Sequence, residues 1–272
     1  MIYGISTHPF AYELLKRKHL DLIADNGFSV IEIFSSRMQI DFNNHSQLKE
    51  IAKGVSDNKL MVNSVHAPFY FDLASLKNRM FVNIASENEE YRNKSVEEIK
   101  ASMVLATLFP VDYYVIHFPY NVIRDPFLKS LEELFVFAEH LQVKLAFENI
   151  PGSRTSVASI VKFFEDNLVP AGVCFDTGHA NIRGTLYNDI EKYGVNFFTM
   201  HVHDNVGDSD SHLVPFEGNI DWERVMKLLK GVDYKWGFIL EIRMSGFSDY
   251  DMLLKDAYNA VCKFKEIESR IE

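Results

Sequence analysis

Six short apolar runs in this 272-residue chain each stop at a side chain able to hold a metal ion. Residues 145–147 stop at Glu148, 173–175 at Asp176, 197–200 at His201, 238–240 at Glu241, 62–65 at His66 and 115–116 at His117. Each run is long enough only for a short buried strand. A carboxylate or imidazole directly after such a run costs free energy unless something pairs with it. The repetition therefore demands a scaffold in which many strand ends meet.

Helix-length amphipathic segments separate the runs. Strands are expected at 2–6, 30–34, 62–66, 113–117, up to Glu148, 172–176, 197–203 and 237–241. The first helix should span 14–26, with Gly27 as its stop. Ser46 should cap the second, and Ser95-Val96-Glu97-Glu98 reads as a capping box opening the next. Asp125-Pro126 should start a helix reaching His140, with Pro126 at its first position. Thr155 or Ser156 should cap another, ending near Phe164. A helix is expected around 187–193, one from Asp221, and a last one over 249–267. The connection 67–93 is unusually long and so suspect as functional. Eight strands alternating with eight helices predict a parallel, closed (β/α)₈ TIM barrel in one domain, 1–272. An open doubly wound sheet is the main alternative, but GxGxxG and GxxxxGK[ST] are both missing.

With 47% of residues hydrophobic, core material is ample. No apolar stretch approaches transmembrane length, and residues 1–6 lack a signal-peptide pattern. Cys174 and Cys262 make no disulfide framework, so a cytoplasmic location is expected. A formal net charge of −10 argues against broad nucleic-acid binding.

In a barrel, strand C-termini converge on one mouth. Glu148, Asp176, His201 and Glu241 would form an oxygen-rich set with one imidazole, suited to zinc or manganese foremost, with cobalt and magnesium also admissible. Singly, each is as well explained by a salt bridge; four together are not. His203 shares a strand face with His201 and reads as a substrate-facing, ligand-supporting or structural histidine. Asp210 and His212 could reach one ion, and His179 could turn toward it. Arg37, Arg154, Arg183 and Arg243 fall just beyond strand ends, where each could meet a phosphate or carboxylate of a ligand or, equally, pair with a neighbouring acid. His19, His45 and His140 read as surface residues, Cys174 as a small buried hydrophobe, and 135–138 as core.

The segments Ser64-Val65-His66-Ala67-Pro68, Phe147-Glu148-Asn149, Phe175-Asp176-Thr177-Gly178-His179-Ala180, Met200-His201-Val202-His203-Asp204-Asn205, Asp210-Ser211-His212, Glu217-Gly218-Asn219-Ile220 and Leu240-Glu241 together resemble the xylose-isomerase-like barrel superfamily, across almost the whole chain. Its sugar isomerase and epimerase members imply one divalent ion on Glu148, Asp176, His201 and Glu241. In them the two glutamates also work on opposite faces of a small sugar, through a cis-enediolate. Its apurinic/apyrimidinic endonuclease members imply three zinc ions, with His66, His117, His179, Asp210 and His212 as further ligands. All nine positions carry ligand-capable residues here. The loops, however, balance Lys77, Arg79 and Arg92 against Asp72, Glu87, Glu89 and Glu90, which suits DNA poorly. A sugar enzyme is therefore ranked first, with Glu148 and Glu241 catalytic and His179, His203 and Arg243 holding substrate. DNA enters as a partner only under the endonuclease reading; no membrane partner is expected, and a homo-oligomer is left open.

Overall fold

The eight expected strands form and close in sequence order into one parallel barrel. They are β1 (Ile2–Ser6), β2 (Val30–Phe34), β3 (Met61–His66), β4 (Tyr113–His117), β5 (Lys144–Glu148), β6 (Gly172–Asp176), β7 (Phe197–Val202) and β8 (Gly237–Leu240). The closing pair, β1 and β8, aligns Ile5 with Leu240. This is a computed structural model, and it describes residues 1–244 and 246–271.

A helix follows each strand. α1 (Arg17–Asp25) and α2 (His45–Asp57) follow β1 and β2. α3 (Leu73–Lys77) and α4 (Glu89–Met103) follow β3, and α5 (Arg124–Leu141) follows β4. α6 (Val157–Asn167) follows β5, while α7 (Thr177–Ile182) and α8 (Leu186–Tyr193) follow β6. α9 (Trp222–Gly231) and α10 (Tyr250–Ile271) complete the ring.

Strand alternation sorts the side chains into two sets. Leu145, Phe147, Val173, Phe175, Met200 and their equivalents join the large apolar layer packed against the helices. Small residues, Val115, Ala146 and Cys174, form a separate cluster. Above them the interior turns polar, with Ser6, Glu32, Ser64, His66, Glu148 and His201 all buried. The functional end is thus the end where the inward positions stop being apolar.

Several boundaries differ from the sequence reading. Asn44, not Ser46, caps α2, its side chain accepting from the Ser46 and Gln47 amides. α4 starts at Glu89 behind an Asn88 cap, so Ser95 lies inside the helix, and its hydroxyl donates back to the Tyr91 carbonyl. Ser95 and Asn88 are both good caps, and only the fold of the preceding loop chooses between them. That loop is shorter than expected and holds α3. Pro126 sits at the third position of α5 rather than the first. Ser156 caps α6, and Asp221 caps α9. β7 ends at Val202 and β8 at Leu240, so His203 and Glu241 stand just past their strands. His19 is buried, not superficial. Its ring stacks on Phe10 and its Nδ1 accepts from the Lys16 amide, which satisfies the helix start. In the 135–138 stripe Ala138 is buried, but Val136 is 64% exposed, because four consecutive residues cannot share one helix face.

Candidate metal centre and active site

Six strand ends, α7 and the loop after β7 bring the nine predicted ligand positions to one mouth, and they fall into overlapping groups. Glu148, Asp176, His201 and Glu241 offer ligand atoms within 4.8 Å of one another. His66, His117 and Glu148 make a second such group, and His66, His201 and Glu241 a third. His179, Asp210 and His212 make a fourth, which His203 joins.

Most of the imidazoles have one ring nitrogen committed away from the centre. His66 Nδ1 lies 2.7 Å from the Ala67 carbonyl, His179 Nδ1 2.8 Å from that of Asn149, and His212 Nδ1 2.7 Å from that of Glu241. Each Nδ1 therefore donates, and each Nε2 keeps its lone pair for the site. His201 is mirrored: its Nε2 lies 3.0 Å from Glu32 Oε2, which frees Nδ1. That nitrogen stands 3.3 Å from Glu148 Oε2 and 3.5 Å from Glu241 Oε2. Orienting a ligand imidazole through its other nitrogen is the usual support of a metal site.

Buried polar atoms aimed inward are left over. Glu148 Oε1, Asp176 Oδ2, His201 Nδ1, His203 Nε2 and Asp210 Oδ1 have no hydrogen-bond partner among the described residues. Orphaned atoms at this depth are costly unless an ion completes them. The donor set of carboxylate oxygens and imidazole nitrogens fits a divalent cation of the hard to borderline class.

Electrostatics agree. Burial opposes charge at Glu148, yet the nearby His117 and His201 imidazoles hold its carboxyl well below the ordinary range. Burial likewise opposes charge at Asp176, and His179 and His203 override it. His201 is lifted well above its usual value against burial by Cys174, Glu32, Glu241 and Glu148. The field that draws a proton onto that ring also draws a cation, since the two compete for one lone pair. His212 goes the other way, down to about 4, because burial and the stacked His203 ring outweigh Asp210.

Local sequence explains the placement. Asn149 clamps β5 to β6: its amide donates to the Asp176 carbonyl at 3.0 Å and accepts the Asp176 N–H at 2.8 Å. Asp176 also caps α7 through the His179 amide. Gly178 is required by close approach, since a Cβ there would overlap the His203 ring. The loop carrying Asp210 and His212 is tied by Asp204, whose carboxylate accepts from the amides of Asn205, Phe216 and Ile220 and from the Trp222 indole. Within it His212 and Phe216 hold positive φ, at 47° and 79°.

Arg243 lines the mouth and donates to the carbonyl and carboxylate of Asp210. Arg37 is spent in a bidentate pair with Glu98, and Arg154 donates to Asn121. Sequence reasoning missed two residues. Glu32 is fully buried and accepts from Ser6, Ser64 and His201, and its signal was a carboxylate in the middle of Val30-Ile31-Glu32-Ile33-Phe34. His8 lines the mouth, stacked 5.2 Å from His212. The mouth cavity measures about 560 Å³.

A closed parallel barrel with a carboxylate–imidazole constellation at its C-terminal mouth defines a class of barrels with a candidate metal site. A family model described as "Xylose isomerase-like TIM barrel" matches residues 20–261, and the chain belongs to that family. An uncharacterized protein, MJ1311 of Methanocaldococcus jannaschii, is 30% identical over 254 residues, 86% of this chain and 81% of that one. A probable endonuclease 4 of Sulfurihydrogenibium is 28% identical over 142 residues, 47% of this chain and 46% of the other. Among solved structures, a D-tagatose 3-epimerase-like protein superposes with a TM-score of 0.78 at 24% identity, covering 99% of both chains. Other structural neighbours are sugar epimerases. No helix among the described residues is long and apolar enough to cross a membrane.

Proposed function

We propose that this protein is a divalent-metal-dependent isomerase or epimerase of a small sugar or sugar phosphate. The observation that carries the reading is the pair Glu148 and Glu241, both set against the free Nδ1 of His201 at the floor of the mouth. Glu148, Asp176, His201 and Glu241 would hold the ion, which supplies polarisation of a substrate carbonyl and its neighbouring hydroxyl.

The chain's own groups then move the proton. Glu148 is held ionised, the state a base needs, and takes the proton from the carbon beside the carbonyl. Glu241 returns a proton to the opposite face for epimerisation, or to the adjacent carbon for isomerisation. His179 and His203, buried beside Asp176, orient substrate oxygens. Arg243 steadies Asp210 at the rim and offers a charge to a distal anionic group. The names of the epimerase neighbours support the choice of substrate class.

Glu148→Gln should fold and keep most of its sugar affinity while losing turnover by about two or more orders of magnitude. Ketoses incubated with the wild type in deuterated water should gain deuterium at the abstracted carbon. Wild-type exchange in the variant would rule out Glu148 as the base.

One observation favours a second reading, phosphodiester cleavage at abasic DNA. The groups around His66–His117 and around His179–Asp210–His212 exceed what one ion requires. Several close ions can stabilise attacking and leaving oxygens together. Against it, Arg243 and Arg79 are the lysine- or arginine-type cations lining the mouth and its neighbouring cavity, a poor match for a polyanion. Elemental analysis decides: one ion per chain supports the sugar enzyme, and three zinc ions with cleavage of abasic DNA reverse the ranking.

A further inference from the structure

Beside the mouth lies a second cavity of about 490 Å³, of different character. The stretch after β3 forms part of its wall through Val82 and Ile84. Ile99 of α4, Ile116 of β4 and Phe118 line it as well. Phe69 and Phe81 are stacked with ring centroids 4.5 Å apart, and both border the space.

Two polar groups of its wall are already committed, while His117 Nδ1, unpaired among the described residues, sits where the cavity adjoins the mouth. The Tyr91 hydroxyl donates to the Phe81 carbonyl at 2.7 Å, and Asn83 Oδ1 accepts from the Ala85 amide at 3.0 Å. Arg79 stands exposed to solvent, so its charge is not enclosed with an occupant. Such a wall offers an occupant contact area and little hydrogen bonding. A charged or hydroxyl-rich guest would lose its water without replacement. Phe69, His117, Tyr120 and Ile150 line both this cavity and the mouth. The two spaces are therefore neighbours, and Glu148 lines the one that adjoins the apolar cavity.

We propose that this cavity is a subsite for an uncharged apolar substituent, an aryl or branched alkyl group, carried by the hydroxy-carbonyl substrate. The link to that substrate rests on the sugar-type reading above; the apolar site itself does not. The substrate class narrows accordingly, from a bare sugar to a polar head bearing a hydrophobic group.

Indole tests the subsite alone. Titrated into the purified protein by calorimetry, it should bind saturably at one site. Val82→Trp, which adds bulk to the cavity wall, should weaken it by at least about tenfold. Ile84→Phe serves as a second block, and circular dichroism with a melting curve identifies which variant is folded. Absence of saturable indole binding, or wild-type affinity in a folded blocking variant, overturns the subsite. The link to substrate is tested with two minimal hydroxy-ketones, 2-hydroxyacetophenone and hydroxyacetone. The phenyl compound should bind at least about tenfold more tightly, and Val82→Trp should erase the difference. Equal affinities overturn the substituent assignment. Failure of ketose turnover with indole binding intact strikes the sugar reading and not the cavity, and the converse result strikes the cavity alone.

Discussion

Replacing Glu32 with glutamine should weaken metal binding without unfolding the barrel. Glu32 is fully buried, and its Oε2 accepts from both Ser64 at 2.8 Å and His201 Nε2 at 3.0 Å, while Oε1 accepts from Ser6 at 3.1 Å. A glutamine keeps the shape but has one acceptor oxygen. If its NH₂ faces His201, the ring proton moves to Nδ1 and the ligand lone pair is lost. If its NH₂ faces Ser6, the proton stays on Nε2, but the hydrogen bond loses its charge. Charge-assisted hydrogen bonds exceed neutral ones by about 1–2 kcal/mol, and removing an outer partner of a ligand imidazole costs roughly 10–100-fold in affinity. Tenfold corresponds to about 1.4 kcal/mol, so the two scales agree. The fold should tolerate the change, because removing a fully buried carboxylate also removes its desolvation cost. Manganese and zinc titrations of chelator-stripped protein would measure the affinity, and a melting curve the stability. A folded Glu32→Gln variant whose affinity stays within about twofold of wild type would refute the reasoning.

Asn149→Ala removes both buried bonds across the β5–β6 seam and should cost about 1–3 kcal/mol in chemical denaturation, with Asp176 loosened as the ligand set loses occupancy; an unchanged midpoint would count against it. His19 accepts a backbone N–H at Nδ1, and burial lowers its pKa below 6.5. The unfolded chain thus binds the proton first: this contribution to stability is complete above about pH 6.5 and is lost as pH falls through the folded value. His19→Gln should flatten the melting temperature against pH in that acidic window. Cys174 is buried and its thiol is pushed upward by burial, whereas Cys262 is exposed. Iodoacetamide should therefore label Cys262 in the folded protein and reach Cys174 only on unfolding, as peptide mass mapping would show.

The barrel was legible because two periodicities agree. Strands such as 172–176 stop where an inward position turns polar, and the helices between them carry their own start signals. Glu148, Asp176, His201 and Glu241 could be placed at one mouth because strand-end position alone sets their height. His203 and Glu241 could not be given their exact place past the strand, since pairing partners end a strand and sequence does not show them. Ser95 and Asn88 compete as caps with similar intrinsic strength, and tertiary contacts of the preceding loop decide. His19 looked superficial because a histidine on an amphipathic helix carries no sign of the Phe10 ring that covers it. Glu32 was visible as a carboxylate inside an apolar strand. Its role needs the partner His201, 169 positions away, and no local pattern encodes that.

The four hydrogen bonds gathered by Asp204 have a consequence for how this mouth could change over time. They fix the base of a loop that carries Asp210 and His212 yet belongs to no strand, while contacts with Glu241 and Arg243 seat its far part, so the loop is a cassette set onto the scaffold. Shortening it behind Asp204 would strip those two donors and leave Glu148, Asp176, His201 and Glu241 on their strand ends. On the proposed function, the number of ions a descendant of this chain could hold would be set by an insertion or deletion in one connection, while the barrel and its two mouth glutamates stay unaltered.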